Sequence, residues 1–326
     1  MSYPRVLCLG EILFDLLADR AGQPYEKVES WTGYPGGAPA NVACALVKLG
    51  TSAGFVGCVG KDEAGESLVK LLTEVGVDST GVQRHDTAPT RQVYVVRSED
   101  GDRSFAGFGD RAPDEFADTY LKAKDLSVEM FENAEFLVLG TLEMAYPDSR
   151  QAIERALELA DLYDVKILMD INRRDMFWTN PEESPIFIAE LLKRVDFLKL
   201  TVEEAEWLFD TADPGAITYR VDGIEGVLVT DGDKGCAYCL GENEGTLPAF
   251  AVDAVDTTGA GDGFVAGIVH QICEHGVQSL QDAEKAKEMV RFATAVGAIT
   301  TLNPGAIAAQ PTLAEVEAFL ANHRSL

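Results

Sequence analysis

Short apolar runs of β character alternate with segments of helical length along most of this 326-residue chain, and that alternation constrains the fold more than any other feature. RVLCLG (5–10), GFVGCVG (54–60), FLVLG (136–140), KILMD (166–170), FLKL (197–200) and GVLVT (226–230) are nearly continuous in their apolar character. A strand needs such a run when both faces of its sheet are covered. Helix candidates lie near 62–75, 148–163, 184–194 and 202–209, then near 260–275, 282–301 and 312–323. The alternation predicts an α/β fold with a doubly wound, mostly parallel sheet and helices on both faces.

Two stretches, 13–34 and 86–112, break the pattern with polar residues, Gly, Pro and alternating Val and Tyr. RQVYVV (91–96) and RSFAGF (103–108) predict an exposed antiparallel hairpin around Glu99-Asp100-Gly101. Excursions of this kind from a parallel sheet are expected to form a small β-sheet lid over the carboxyl ends of its strands. There is no internal repeat, low-complexity tract or linker, so the expectation is a single domain over 1–326 with lid insertions at about 13–34 and 86–112.

Composition enters through what it excludes. Hydrophobic residues at 46 % and charged residues at 25 % are ordinary for a globular chain. The net charge of −27 repels duplex nucleic acid and anionic membranes, so neither is expected as a partner. The same charge means that a phosphate ligand must be held by local donors or metal ions. The opening MSYPRVLCLGE is too short in its apolar run for a signal peptide. The longest uncharged stretch, 292–314, is broken by Asn303, Pro304, Gly305 and Pro311, which excludes a membrane helix there. A soluble, cytoplasmic protein is expected. Cys236 and Cys239 form a C-x-x-C without a second pair or a nearby His, which reads as core rather than as a zinc or redox site.

The chemistry-bearing motif is Asp256-Thr257-Thr258-Gly259-Ala260-Gly261-Asp262-Gly263-Phe264, which runs straight into the apolar helix FVAGIVHQIC. Glycines let the backbone approach a ligand, and a helix start presents unpaired N–H groups with a positive dipole end. That makes an anion site without lysines. A carboxylate at Asp262 would be repelled by a phosphate there, and it makes sense as a base that takes a proton from an attacking hydroxyl. The plainer alternative is a glycine-rich turn with Asp262 as a helix cap. Far upstream, Gly36-Gly37-Ala38-Pro39-Ala40-Asn41-Val42-Ala43 reads as a turn that opens a helix and points Asn41 into a cleft. Its amide offers a donor and an acceptor, suited to sugar hydroxyls.

DTTGAGDGF resembles the C-terminal signature of the PfkB, or ribokinase-like, carbohydrate kinase family, and GGAPANVA resembles that family's N-terminal GG-x-x-x-N-x-A signature. The resemblance runs from Gly10-Glu11 to Pro311. It implies an ATP-dependent sugar kinase with Asp262 as base and the backbone of Gly259, Ala260 and Gly261 as the phosphate anion hole. For the sugar it implies Asp15, Gly36, Gly37 and Asn41. Asp170-Ile171-Asn172-Arg173-Arg174 resembles a D-x-N-x-R that places Asn172 near the transferred phosphate and Arg174 near the substrate or product. Thr201-Val202-Glu203-Glu204 resembles N-x-x-E, whose Glu, here Glu204, supports Mg2+ through water; Thr201 departs from the family Asn. Val229-Thr230-Asp231-Gly232-Asp233-Lys234-Gly235 resembles V-T-x-G-x-x-G, so Thr230, Gly232 and Gly235 are expected at ATP, with Thr294, Ala298 and Asn303 around the adenine. Asp256 and the Thr258 carbonyl, with Gly305 opposite, correspond to a monovalent cation (K+) site. Family members often dimerise through the lid, and an exposed strand edge gives a reason for a homodimer here.

The G-E-x-x-x-D start, the D-x-N-x-R with Trp178 nearby, and Thr201 resemble fructokinases most. The expected reaction is D-fructose and ATP to D-fructose 6-phosphate and ADP; 2-keto-3-deoxygluconate, ribose and nucleosides stay open as acceptors. Two rival readings are weaker. G-x-G-x-x-A occurs at 261–266 and 107–112, as in nicotinamide oxidoreductases, but the first lies late in the chain and the second runs into Pro113. A non-catalytic sugar sensor would not need the retained Asp262 and Glu204.

Overall fold

A computed structural model describes residues 3–98 and 103–323. Its strands are β1 (Val6–Leu9), β2 (Leu13–Ala18), β3 (Trp31–Gly36), β4 (Ala53–Gly60), β5 (Asp78–His85), β6 (Gln92–Arg97), β7 (Arg103–Gly107), β8 (Phe136–Leu139), β9 (Lys166–Asp170), β10 (Phe197–Thr201), β11 (Gly226–Thr230), β12 (Cys236–Leu240) and β13 (Asn243–Leu247). Nine of them form one sheet in the order β13-β12-β11-β10-β9-β8-β1-β4-β5, parallel from β11 through β5 and closed by the antiparallel hairpin β12–β13.

The apolar runs are continuous because successive strand residues serve two cores. Val6, Cys8, Val138, Leu168, Phe197 and Leu228 face the helices Ala38–Lys48, Ala260–His275 and Ala283–Thr300. Their neighbours Leu7, Leu9, Leu137, Met169, Leu198 and Val227 face the helices Pro147–Leu162 and Ser184–Leu192. From β1 the chain builds outward through β4 and β5, then returns to β8 on the other side. The carboxyl ends of β1 and β8 therefore flank a topological switch point, where open α/β sheets bind ligands.

The expected strands do not include β5, β12 or β13. β5, DSTGVQRH, is an edge strand that is half-buried along most of its length, so it carries no apolar run. In β12, Cys236 and Cys239 are buried and unpaired. Three residues apart in a strand, they leave opposite faces. Burial pushes the Cys236 thiol up to about 12.

The two stretches that break the alternation supply a separate four-stranded sheet, β3-β2-β6-β7. β2–β3 and β6–β7 are antiparallel, whereas β2–β6 is parallel, so the sheet is mixed. The hairpin apex expected at Glu99-Asp100-Gly101 lies outside the described residues. Leu13 and Val93 turn inward from this sheet onto Phe108, Phe116, Leu142, Tyr146 and Phe177.

Arg91, at the head of β6, fastens the small sheet to the segment around Phe116 and Asp118. It is 1 % exposed, and its Nε and Nη2 donate to Asp118 at 2.6 and 3.0 Å. Its guanidinium lies 4.7 to 5.6 Å from the rings of Phe116, Phe177, Phe108 and Tyr146, while its carbonyl accepts from Phe14 N. A charge this deeply buried persists only with such two-pronged pairing. Among the described residues no helix is long and apolar enough to cross a membrane.

Candidate active site

Asp262 stands in the first turn of the helix Ala260–His275, whose opening N–H groups have no acceptor within the helix. Gly259 precedes it at φ +80°, and a Cβ there would come within 3.0 Å of Ala306. Both features demand glycine. Gln310 Nε2 donates to the Gly259 carbonyl at 3.0 Å and steadies the turn. Burial raises the pKa of Asp262, while the Asn41 amide and the charges of Lys199 and Arg174 act the other way.

The two signature stretches meet here. Asn41 Nδ2, on the helix Ala38–Lys48, donates to Asp262 Oδ2 at 2.7 Å across 221 positions of sequence. The Asn41 Oδ1 is buried without a partner and is left as an acceptor. Beside it, the small sheet brings in Asp15 and the glycine pair. A Cβ on Gly36 would reach 2.8 Å from Asp15 Oδ2, and one on Gly37, at φ +104°, would reach 2.5 Å from the Glu11 carbonyl. The pair thus lets a carboxylate and a backbone turn share one narrow space.

Glu11 and Glu143 sit just past β1 and β8, at the switch point. Glu11 Oε1 accepts from Ala38 N at 2.8 Å; Glu143 Oε2 is buried with no partner. Burial, and then the nearby acids, hold Glu11 up to about 7 and raise Glu143 well above the usual carboxylate range. The sequence reading missed Glu143; the available signal was a lone acid inside the apolar stretch LGTLEMAY.

A further buried acid, Asp170, ends β9 and pairs with Lys199 of β10, whose Nζ donates to both carboxylate oxygens at 3.1 Å. Burial raises Asp170 to about 6, with Lys199 pulling it down. Burial alone would lower Lys199, but Asp170 and then Glu204 hold it above its ordinary value. Nζ lies 3.4 Å from where a Cβ on Gly261 would stand, so this ammonium borders the turn at 259–261. Lys199 was also missed, though a lysine within FLKL was the cue. Asn172 adopts φ +40° and donates its N–H to Asp170 Oδ1. Arg174 is exposed, yet its charge reaches Asp262.

Thr201 and Glu204 form a reciprocal cap on the helix Val202–Phe209: Thr201 Oγ1 accepts from Glu204 N, and Glu204 Oε2 accepts from Thr201 N. Thr at the family's Asn position thus has a structural role that Asn can also fill. Glu204 Oε1 accepts from Arg173 N at 2.7 Å. Each Glu204 oxygen thus accepts one backbone N–H and keeps a second acceptor site open. Among the described residues no group of three or more His, Cys, Asp or Glu gathers to hold an ion. Asp256 Oδ1 accepts from the Thr258 N–H and hydroxyl, and its Oδ2 accepts from Gly305 N, which folds the 305 loop against it.

From Lys199 a cleft of about 780 Å3 runs outward past Thr230, Gly232 and Gly235 to Thr294 and Ala298. Asn303 is not among its lining residues. Phe250, Val252 and Phe264 give its far end an apolar wall, sized for a nucleotide.

The pfkB family carbohydrate kinase model matches residues 4–313. The chain belongs to this family of carbohydrate kinases. Within it, the chain is 37 % identical to fructokinase-1 of Zea mays over 315 residues, 95 % of this chain and 96 % of that one. The fructokinase of Xylella fastidiosa, solved with bound ATP, superposes with a TM-score of 0.88 at 30 % identity, covering 98 % of this chain and 99 % of that one. A double mutant of fructokinase from Vibrio cholerae O395, bound to fructose, ADP and a potassium ion, gives 0.84 at 28 % identity, covering 98 % and 99 %. These pfkB kinases share the fold from end to end.

Proposed function

We propose that the protein transfers the γ-phosphoryl group of ATP to D-fructose, giving D-fructose 6-phosphate and ADP, with Asp262 as the base. The observation that carries this reading is the hydrogen bond from Asn41 to Asp262, which joins the sugar-side and phosphate-side motifs in one site. The fructokinase relatives support fructose as the acceptor.

In this reading the cleft holds ATP with its phosphates against the N–H groups of Gly259, Ala260 and Gly261. Thr230, Gly232 and Gly235 follow the nucleotide, and Thr294 and Ala298 flank the adenine. Asp15, Gly36, Gly37 and Asn41 hold the sugar so that one hydroxyl faces Asp262 Oδ1, the oxygen not bonded to Asn41. Asp262 takes that hydroxyl's proton as its oxygen attacks the γ-phosphorus and the bond to the β-phosphate oxygen breaks. Lys199, released in part from Asp170, and Arg174 offset the negative charge of the transferring group, while Asn172 lies beside it. Mg2+ bound with ATP would supply charge neutralisation between the β- and γ-phosphates, held from the protein side by Glu204 through water. Asp256, the Thr258 carbonyl and the Gly305 loop would hold K+ beside the anion hole. The small sheet acts as the lid, and its half-exposed edge serves a homodimer.

ADP release measured across fructose, ribose, 2-keto-3-deoxygluconate and a nucleoside tests the proposal. The expected result is a kcat/KM for fructose at least about tenfold above each of the others, the scale set by leaving buried polar groups unpaired. A higher value for any other acceptor overturns the assignment of fructose.

A further inference from the structure

Lys48 ends the same helix, Ala38–Lys48, whose first turn carries Asn41. Its ammonium makes three hydrogen bonds, all to backbone carbonyls: Ile307 at 2.8 Å, Ala308 at 3.2 Å and Gln310 at 3.0 Å. An ammonium has three donors, so this set uses them all. Burial lowers its pKa, and Glu315 acts on it only through space. A lysine at a helix C-terminus is ordinary, since the dipole favours it. A lysine that spends every donor on one distant loop is not explained by that dipole.

The loop it grips is the strap that shapes the turn at 259–261. Gly305 N donates to Asp256 Oδ2 at 2.9 Å. Ala306 packs on Gly259, within 3.0 Å of where a Cβ would stand. Gln310 Nε2 donates to the Gly259 carbonyl at 3.0 Å, and its Oε1 accepts from Thr300 at 3.1 Å. The strap touches Gly259 at two points, and Lys48 binds the stretch between and at them. A shift of a few tenths of an ångström in the strap is passed to the turn, because close-packed interiors transmit strain. Preorganised donors lose effect when they move off the developing charge.

We propose that Lys48 is a positioning residue for phosphoryl transfer: its tethered cation, seated among the carbonyls of 307, 308 and 310, holds the strap that sets Gly259. This rests on the reading of 259–261 as the anion hole. It yields an asymmetry. Lys48 shares a helix with the sugar-side Asn41, yet its loss should be felt on the phosphate side. Were Lys48 only a fastening of its own helix, the KM for fructose would change instead.

The experiment measures kcat and both KM values for Lys48→Met, Lys48→Arg and Lys48→Ala, with Asp262→Asn assayed alongside. Lys48→Met should lower kcat about tenfold and raise the KM for ATP several-fold, with the KM for fructose within about twofold of wild type. Lys48→Arg, which keeps the charge and the donors, should recover most of the loss. For Lys48→Ala, methylammonium chloride should restore part of the rate, sodium chloride should not, and wild type titrated in parallel should show no such gain. If Lys48→Met fails to fold, the arginine variant and the methylammonium titration decide the matter. A Lys48→Met enzyme within about twofold of wild type in kcat and ATP KM overturns the proposal, as does a change confined to the fructose KM. An intact Asp262 effect beside a silent Lys48 defeats this inference alone; if both variants are silent, the reading of this turn as the phosphoryl-transfer site fails too.

Discussion

The nine-stranded sheet is covered on both faces, whereas the four-stranded sheet packs one face onto Phe108, Phe116 and Phe177 and leaves Trp31 and Tyr94 half-exposed on the other. The large sheet carries the charged groups at the proposed phosphate end: Asp170 ends β9, Lys199 faces it from within β10, and Asp262 opens a helix packed on the same sheet. The small sheet carries Asp15 and Gly36. Groups that must face developing charge with little reorganisation belong on the rigid, doubly covered sheet. The proposed sugar contacts ride on a thinner element, which Arg91 and the aromatic rings around it anchor on its buried face. The difference suggests that damage on the two sides should read out in different kinetic constants.

The largest effect falls on the phosphate side. Asp262→Asn keeps the shape and an acceptor for Asn41 but removes the base, so kcat should drop about 10²–10⁴-fold with ATP binding equal or tighter. Retention of more than about a tenth of wild-type kcat, with chemistry rate-limiting, would leave Asp262 as no more than a helix cap. Next, on the small sheet, Asp15→Ala should raise the KM for fructose by about tenfold or more while the KM for ATP stays within about twofold. Equal changes in both constants would erase the proposed division between the sheets.

A smaller effect tests the seam itself. In the proposed mechanism Asp262 works as a carboxylate, and the hydrogen bond from the Asn41 amide favours that form. In Asn41→Ala the proton should be held more tightly, so the acid limb of the pH–kcat profile should move to higher pH. A limb that stays in place would show that the bond does not tune the base. The smallest effect concerns stability. Glu11 is held up to about 7 by burial, so the folded protein binds its proton more tightly than the unfolded chain does. Stability should therefore fall as pH rises from about 4.5 towards 7, and stay lower above it. Glu11→Gln keeps an acceptor for Ala38 N and removes this titration. Its Tm should exceed wild type by about a few degrees at pH 8 and by less at pH 5. A gap that does not widen with pH would count against the buried, proton-holding Glu11.

The same contrast governs what could be read in the sequence. Doubly covered strands announce themselves as apolar runs, and all six expected ones are strands of the large sheet. β5 and β13 are the two edge strands, where half-exposure dilutes the pattern, whereas β12 is mostly buried and its apolar CAYCL is simply not among the expected strands. The glycine-rich motifs were legible because close backbone approach tolerates little else at Gly37 and Gly259. Long-range pairings were not: the Asn41–Asp262 bond, the Arg91–Asp118 pair and the Lys199–Asp170 pair join residues whose adjacency only the packed fold creates. Asn41 reads from the sequence as a polar group for sugar, and its hold on Asp262 emerges only in the fold. Thr201 was legible as a departure from the family Asn, and its capping of Glu204 needed the structure.

If the two sheets bring one fructose hydroxyl to Asp262 beneath the γ-phosphate, the reaction product must show it. The most direct measurement is the product itself, followed by phosphorus NMR in a mixture of enzyme, ATP, Mg2+ and D-fructose. ADP and fructose 6-phosphate should form in equal amounts. ATP that is consumed without a fructose phosphate ester, or an ester on a different hydroxyl, would contradict it.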